Sequence, residues 1–493
     1  MKLKLIITLL LVISKISYSQ NYGNFPKIEK EKLLNDVELL NQGLDKFHSG
    51  MYWYTPKDSV DNAFEIAKNR ITTDLNILEF HKIIAPLVAL SREGHANIYL
   101  PDYVSKKLRE EMRFLPFTIV FLDKQLYVVK NGSEFGELDL QGKVIESINE
   151  KTPVEIVEEI GNLFTSDGFI KTVKYSDLEG FAFSKYYFYY YGQIDEFNIK
   201  FKGIKDPVII ESLRIDSINK NLKERYKDDK KYEVKDLLEF KTLNNSTAYL
   251  GIHTFSNSDI KKDSKEKNLK IFLENSFKSM EENNIKTLII DVSENGGGTE
   301  GNEGLLYSYF GENYQKYIKV KAKTQKAILD NGVDKPIRLN TFGFLERVFA
   351  NKKMKDNSYE RKQWIGNGLM AFKKEPKYKF YGNVYVIISP ETYSGGSEFS
   401  NMMFTKDLAT FVGQETGGAY LGNTSGYSQE LVLPNSKIGI DIPALQFIMN
   451  VKPKLPFGSG VKPHYEVIPT FEQYINRENA SLNYILEQLK NKN

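Results

Sequence analysis

Apolar residues recur at intervals of three and four in "EKEKLLNDVELLNQGLDKF" and again in "ILEFHKIIAPLVALSREGH". That period puts them on one face of a helix, so the spacing predicts a helical N-terminal region over 20–110. After Leu115 the period changes. "FTIVFLDKQLYVVKN" holds two strand-length runs separated by Asp123 and Lys124. "LDLQGKVIESINEKTPVEIVEEI" reads as a strand, a turn at Pro153 and a short helix. A small β-rich module is therefore expected over 111–200. The run "FAFSKYYFYYYGQIDEFNIKF" is aromatic without alternation, which predicts a strand buried on both faces.

The polar stretch "KNLKERYKDDKKYEVKD" marks a solvated boundary. Beyond it the apolar runs are short and β-branched: "AYLGIHTF", "TLIIDVS", "VYVIIS" and "ATFVG". Helical patterns separate several of them, notably "NLKIFLENSFKSMEE", with Leu269, Leu273, Phe277 and Met280 on one face. Strands alternating with helices predict an α/β core built on a mainly parallel sheet over 235–475, with a C-terminal helix in 476–493. The Lys-, Asn- and Tyr-rich segment 311–380 interrupts that rhythm and reads as an insertion, in part a lid.

Charge narrows the function classes. The 493 residues carry 67 Lys and Arg against 64 Asp and Glu, a formal net charge of +3, so no electrostatic footprint for nucleic acid is present. There is no cysteine, which excludes disulfides, thiol catalysis and cysteine metal sites. The opening "MKLKLIITLLLVISKISYSQ" has two lysines, a short apolar stretch and small residues at Ser17 and Ser19. It reads as a signal peptide over 1–19, implying an exported chain, periplasmic or secreted. The apolar stretch is too short for a transmembrane anchor.

Parallel strands collect sites at their C-terminal ends. In "TLIIDVSENGGGTEG" three glycines follow a strand, and their amides could cradle an oxyanion or simply make a tight turn. In "SPETYSGGSEFS" Ser394 follows a strand and precedes Gly395, Gly396 and a helix. That is a position for a nucleophile, or for an N-cap, with Ser397 competing for the cap. A serine nucleophile needs a base. Of the five histidines, His95 lies in a loop after Gly94, whereas His253 reads as core. None pair at i+3 or i+4, so no histidine metal site and no cofactor is expected.

"LIIDVSENGGG", "ETYSGGSEFS" and "FVGQETGGAYLGNTSG", in that order with "EGHANIYL" upstream, resemble the tail-specific or C-terminal processing serine peptidases, the family that includes the tricorn core. The resemblance implies a crotonase/tricorn-core-like α/β domain and maps the family's loop residues onto Asp291, Asn295, Gly297 and Gly298. "LQGKVIESINEKTPVEIV" is similar to a PDZ module, which implies peptide binding by strand addition. The lysine base of one branch falls on Ala419, so the resemblance points to the tricorn-like branch, with His95 as base for Ser394 and the Gly297 and Gly395 amides as oxyanion donors. The glutamate expected before "GVKPH" is replaced by Phe457, which leaves Glu93, Glu415 and Asp441 as candidates for the third member. The implied substrate is an extended polypeptide. The alternative is a degenerate member that binds peptide or lipid without hydrolysis. A polysaccharide surface built on the aromatic run 186–191 is a third reading.

Overall fold

The computed structural model describes residues 22–134, 139–229, 235–312, 314–330, 351–362 and 375–491. The expected signal peptide and nearly half of the expected insertion 311–380 lie outside the described residues. No described helix is long and apolar enough to cross a membrane.

The central sheet has the order 238–244, 247–252, 287–291, 383–388, 410–413, 465–466. Its first pairing is antiparallel and the others are parallel, with Ile290 opposite Val386 and Asp291 opposite Ile387. The strand Thr287–Asp291 is buried at every position, as a strand covered on both faces must be. Helix Leu269–Glu282 packs on it through Leu269, Leu273, Phe277 and Met280, the face read from the sequence. A second, antiparallel sheet was not foreseen. Its long hairpin pairs Gly422–Val432 with Gly439–Met449, and the latter also pairs with Tyr317–Ala322.

The hairpin fixes the N-terminal region. Strand Asn97–Tyr99 pairs with Gly439, Ile440 and Asp441 of the hairpin, so the loop just before it, which carries His95, is held against the core domain. Upstream, helix Ile77–Ala89 starts at a capping box in which Asn76 accepts from the Glu79 amide and Glu79 accepts from the Asn76 amide.

The β-rich module is a five-stranded antiparallel sheet from Phe117 to Glu211. Asp123 and Lys124 both have positive φ, the turn that joins its first two strands. On the edge strand Phe117–Leu122, Ile119 exchanges two backbone hydrogen bonds with Gly180, so that edge is already partly covered by the chain itself. The aromatic run is not a strand: Ala182–Tyr191 is a helix. Phe183 and Tyr187 enter the core of the module while Phe188 enters that of the N-terminal region. No side chain of 186–191 except part-buried ones reaches the surface, so the run forms no open aromatic platform for sugar.

Candidate active site

Ser394 immediately precedes the helix Gly395–Thr405, with φ 47° and ψ −121°. A non-glycine residue rarely holds such a φ, and the surroundings enforce it. Thr392 Oγ1 donates to the Val292 carbonyl at 2.8 Å, and the Tyr393 amide donates to the Asn295 carbonyl at 3.0 Å. Although Ser394 is at the N-cap position, its side chain accepts nothing from the helix. The rival hydroxyl is committed: Ser397 is buried and donates to the Thr392 carbonyl at 2.7 Å.

The glycine loop faces this serine. Gly297 has φ +101°, and a Cβ placed on it would lie 2.7 Å from Ser394 Cβ and 2.8 Å from the Gly395 nitrogen. Only glycine permits that approach. The Gly395 amide makes no hydrogen bond among the described residues and stands at a helix N-terminus, where negative charge is favoured. The expectation for Gly297 needs correction. Its amide already donates to Asn295 Oδ1 at 2.9 Å, and Asn295 Nδ2 donates to the Ile252 carbonyl at 2.9 Å. A fully buried asparagine thus uses that donor to hold the loop. The next amide along, that of Gly298, has no partner among the described residues.

On the other side stands His95. Its ring lies 5.2 Å, centroid to centroid, from that of Tyr393, the residue before Ser394. Its Nδ1 is 2.9 Å from Glu93 Oε1. The Glu93 side chain is buried, and its Oε2 accepts from the Thr424 amide on the hairpin. Of the three acidic candidates, Glu93 therefore reaches the histidine. Glu415 instead accepts from the Gly460 amide, and Asp441 lies on the strand opposite Asn97. Asp167, which sequence reasoning missed, completes the cluster. It accepts from the Gly94 amide at 2.8 Å, the Ala419 amide at 3.0 Å and the Tyr393 hydroxyl. No spacing in the sequence points to it.

Electrostatics favour a proton-carrying imidazole here. Burial pulls the His95 pKa down, but the Glu93 hydrogen bond and the charges of Glu93, Asp167 and Glu398 outweigh it, and the net shift is upward. Burial pushes the Glu93 carboxyl up to about 8, with Asp167 adding and His95 opposing. His95 Nε2 has no partner among the described residues.

A second charged cluster includes Glu398 of the helix Gly395–Thr405. Lys316, 3% exposed, meets Glu300, Glu303 and Glu398, the last at 3.1 Å. Tyr317 and Asn423 also donate to Glu398, at 2.8 and 3.0 Å, and Glu303 accepts from the Gly301 amide. Burial works against the ammonium, but the three carboxylates hold its pKa well above the usual lysine range. These carboxylates could group round a metal ion; the lysine already supplies the cation.

Residues 246–467 match the family model of peptidase family S41. No curated protein matches the chain. Among solved structures, mature CPAF is similar over 92% of this chain and 95% of its own, at 14% identity and a TM-score of 0.59. Mature CPAF complexed with lactacystin is similar over 94% and 99%, also at 14% identity and 0.59. At such identity the likeness is one of fold, and it spans the N-terminal region and the β-rich module as well as the core. Residues 246–467, which carry the serine and glycine loops at the ends of parallel strands, are thus similar to peptidase family S41.

Proposed function

We propose that the chain is an exported serine peptidase that cleaves extended or unfolded polypeptides, with Ser394 as nucleophile, His95 as base and Glu93 as the carboxylate that orients His95. The observation that carries this reading is the His95 Nδ1 to Glu93 Oε1 contact of 2.9 Å beside a serine whose hydroxyl is not used for capping. With Nδ1–H directed at Glu93, the lone pair of Nε2 is the one available to a substrate-activated hydroxyl.

In this reading Ser394 Oγ attacks the scissile carbonyl as its proton passes to His95 Nε2. The oxyanion is met by the Gly395 amide and by an amide of the facing 296–298 loop, in which Gly297 packs against Ser394. Collapse breaks the C–N bond, His95 returns the proton to the leaving amine, and water then hydrolyses the acyl-serine by the same route. Ser394 and His95 are not hydrogen-bonded to each other here, and such contacts commonly tighten only once substrate is bound.

The test is degradation of an unstructured protein by the chain from Gln20, beside Ser394→Ala and His95→Ala. Loss of turnover by at least about 1000-fold in both variants is expected. Full activity in His95→Ala would remove the base, and no activity in the unaltered chain over varied substrates would leave the non-hydrolytic binder as the better reading.

A further inference from the structure

Phe457 occupies the stretch where the resemblance expects a glutamate, and it is 48% exposed. Beside it, at 6.5 Å between ring centroids, lies Phe169, 50% exposed. Tyr54 closes the back of the pair, 5.0 Å from Phe457 and 6.0 Å from Phe169, and Trp53 stacks on Tyr54 at 5.2 Å. Two half-exposed phenyl rings held side by side are unlike a lone surface phenylalanine. They form an apolar face that water covers poorly, of the kind that marks a contact surface.

The face is rigid and close to the proposed chemistry. The Phe169 amide donates to the Gly458 carbonyl at 2.7 Å, and the Gly168 amide donates to the Arg92 carbonyl at 2.9 Å. Asp167, two residues before Phe169, accepts from the Gly94 amide and the Tyr393 hydroxyl, so the same short loop touches both neighbours of the His95–Ser394 pair. The Arg92 guanidinium lies 4.6 Å from the Phe169 ring and buttresses its other side. The Tyr54 hydroxyl is buried with no hydrogen-bond partner among the described residues, and burial and the charges of Asp167 and Glu93 hold its proton on.

We infer that Tyr54, Phe169 and Phe457 form a substrate subsite that takes a large apolar or aromatic side chain of the polypeptide near the bond to be cleaved. The inference rests on the peptidase reading for its location and deepens it by naming a substrate class. Phe169 packs edge to face on Tyr54 and Phe457 at 6.0 and 6.5 Å while Tyr54 and Phe457 are tilted at 5.0 Å, and an incoming phenyl or isobutyl group would cover the two exposed phenyl rings. An acidic side chain there would be stripped of water against the rings, a cost that the Arg92 guanidinium beside Phe169 offsets only in part.

The experiment compares two peptides that differ at one position, Phe against Asp, scanned across the cleavage site. The ratio of their kcat/KM values is read in the unaltered chain, in Phe169→Ala/Phe457→Ala, and in Phe169→Leu/Phe457→Leu. A preference for Phe of roughly 10- to 100-fold is expected at one position. It should collapse to within about threefold in the alanine variant and be largely kept in the leucine variant. A ratio unchanged in the alanine variant, or no preference at any position, overturns the subsite. If the unaltered chain cleaves nothing, the peptidase reading fails by itself, and the same peptides are titrated against Ser394→Ala by Trp53 fluorescence, with Trp364 replaced by Phe. Phe-dependent binding that disappears on Phe169→Ala/Phe457→Ala then supports the subsite, and its absence overturns it.

Discussion

Two buried clusters of carboxylates flank Ser394, and they differ in what they leave open. Around Lys316, three glutamates surround one ammonium, and tyrosine, asparagine and backbone donors take up further lone pairs. Around His95, Glu93 and Asp167 also accept from backbone amides, but the group at their centre is titratable and its Nε2 has no partner among the described residues. The lysine is 3% exposed and the histidine 24%. A charge set kept for architecture is closed, its ammonium enclosed by acceptors; one suited to proton transfer keeps a single valence uncommitted. Both clusters consist of ordinary Glu, Asp and basic residues, so only their closure separates them.

The sharpest way to break this comparison is Glu93→Gln. The amide cannot accept the Nδ1 proton as a charged partner, so the imidazole loses both its fixed tautomer and the stabilisation of its cation. Turnover is expected to fall by roughly 10³- to 10⁴-fold with the fold retained. Steady-state kinetics on an unstructured substrate, with circular dichroism as a fold check, measure it. A loss below about threefold would reduce Glu93 to a structural acceptor for the Thr424 amide.

Lys316→Met should behave differently. Removing the ammonium leaves three carboxylates facing one another without water, and breaking a buried ion cluster from one side costs about 3–5 kcal/mol. Chemical denaturation should show that loss, with kcat per folded molecule changed far less than in Glu93→Gln. Should kcat collapse while stability is preserved, the Lys316 cluster belongs to the chemistry and the contrast drawn above is wrong.

The sequence went a long way towards this site and stopped for physical reasons. Ser394 and His95 could be singled out as candidates because a small hydroxyl residue among glycines and a loop histidine are local patterns. The parallel core was legible from β-branched runs alternating with helices. Glu93 could not be chosen over Glu415 and Asp441, because all three are near one or another site element in sequence and only pairing of Asn97–Tyr99 with the hairpin decides which faces His95. The Gly297 amide was misread because a glycine-rich loop advertises its donors without showing which are already used; Asn295, two residues away, takes that one. The aromatic run 181–191 misled for a different reason. Its helix sends Phe183 and Tyr187 into one core and Phe188 into another, so apolar residues occupy most of its circumference and no helical period survives. The hairpin 422–449, by contrast, leaves a signal: burial alternates along 425–432 as a half-exposed strand requires, and its sequence "SGYSQELV" alternates less cleanly than the structure does.

The smallest effect expected concerns pH, and it sharpens the comparison most finely. A base must be neutral to act, so kcat/KM should rise with pH through the pKa of His95. Because the Glu93 hydrogen bond and the Glu93, Asp167 and Glu398 charges outweigh burial, that rise should be centred above the usual histidine value of about 6.5. Asp167→Asn deletes one of the charges that favour the imidazolium without touching the Nδ1 hydrogen bond. Its midpoint should therefore move to lower pH, by less than about one unit, which corresponds to under about 1.4 kcal/mol. The amide also turns an NH2 towards a backbone N–H at Gly94 or Ala419, so absolute rates will fall as well, and the midpoint rather than the rate isolates the charge. A midpoint that stays fixed, or moves upward, would mean that Asp167 does not act on the imidazole through its charge, and the open cluster would then reduce to His95 and Glu93 alone.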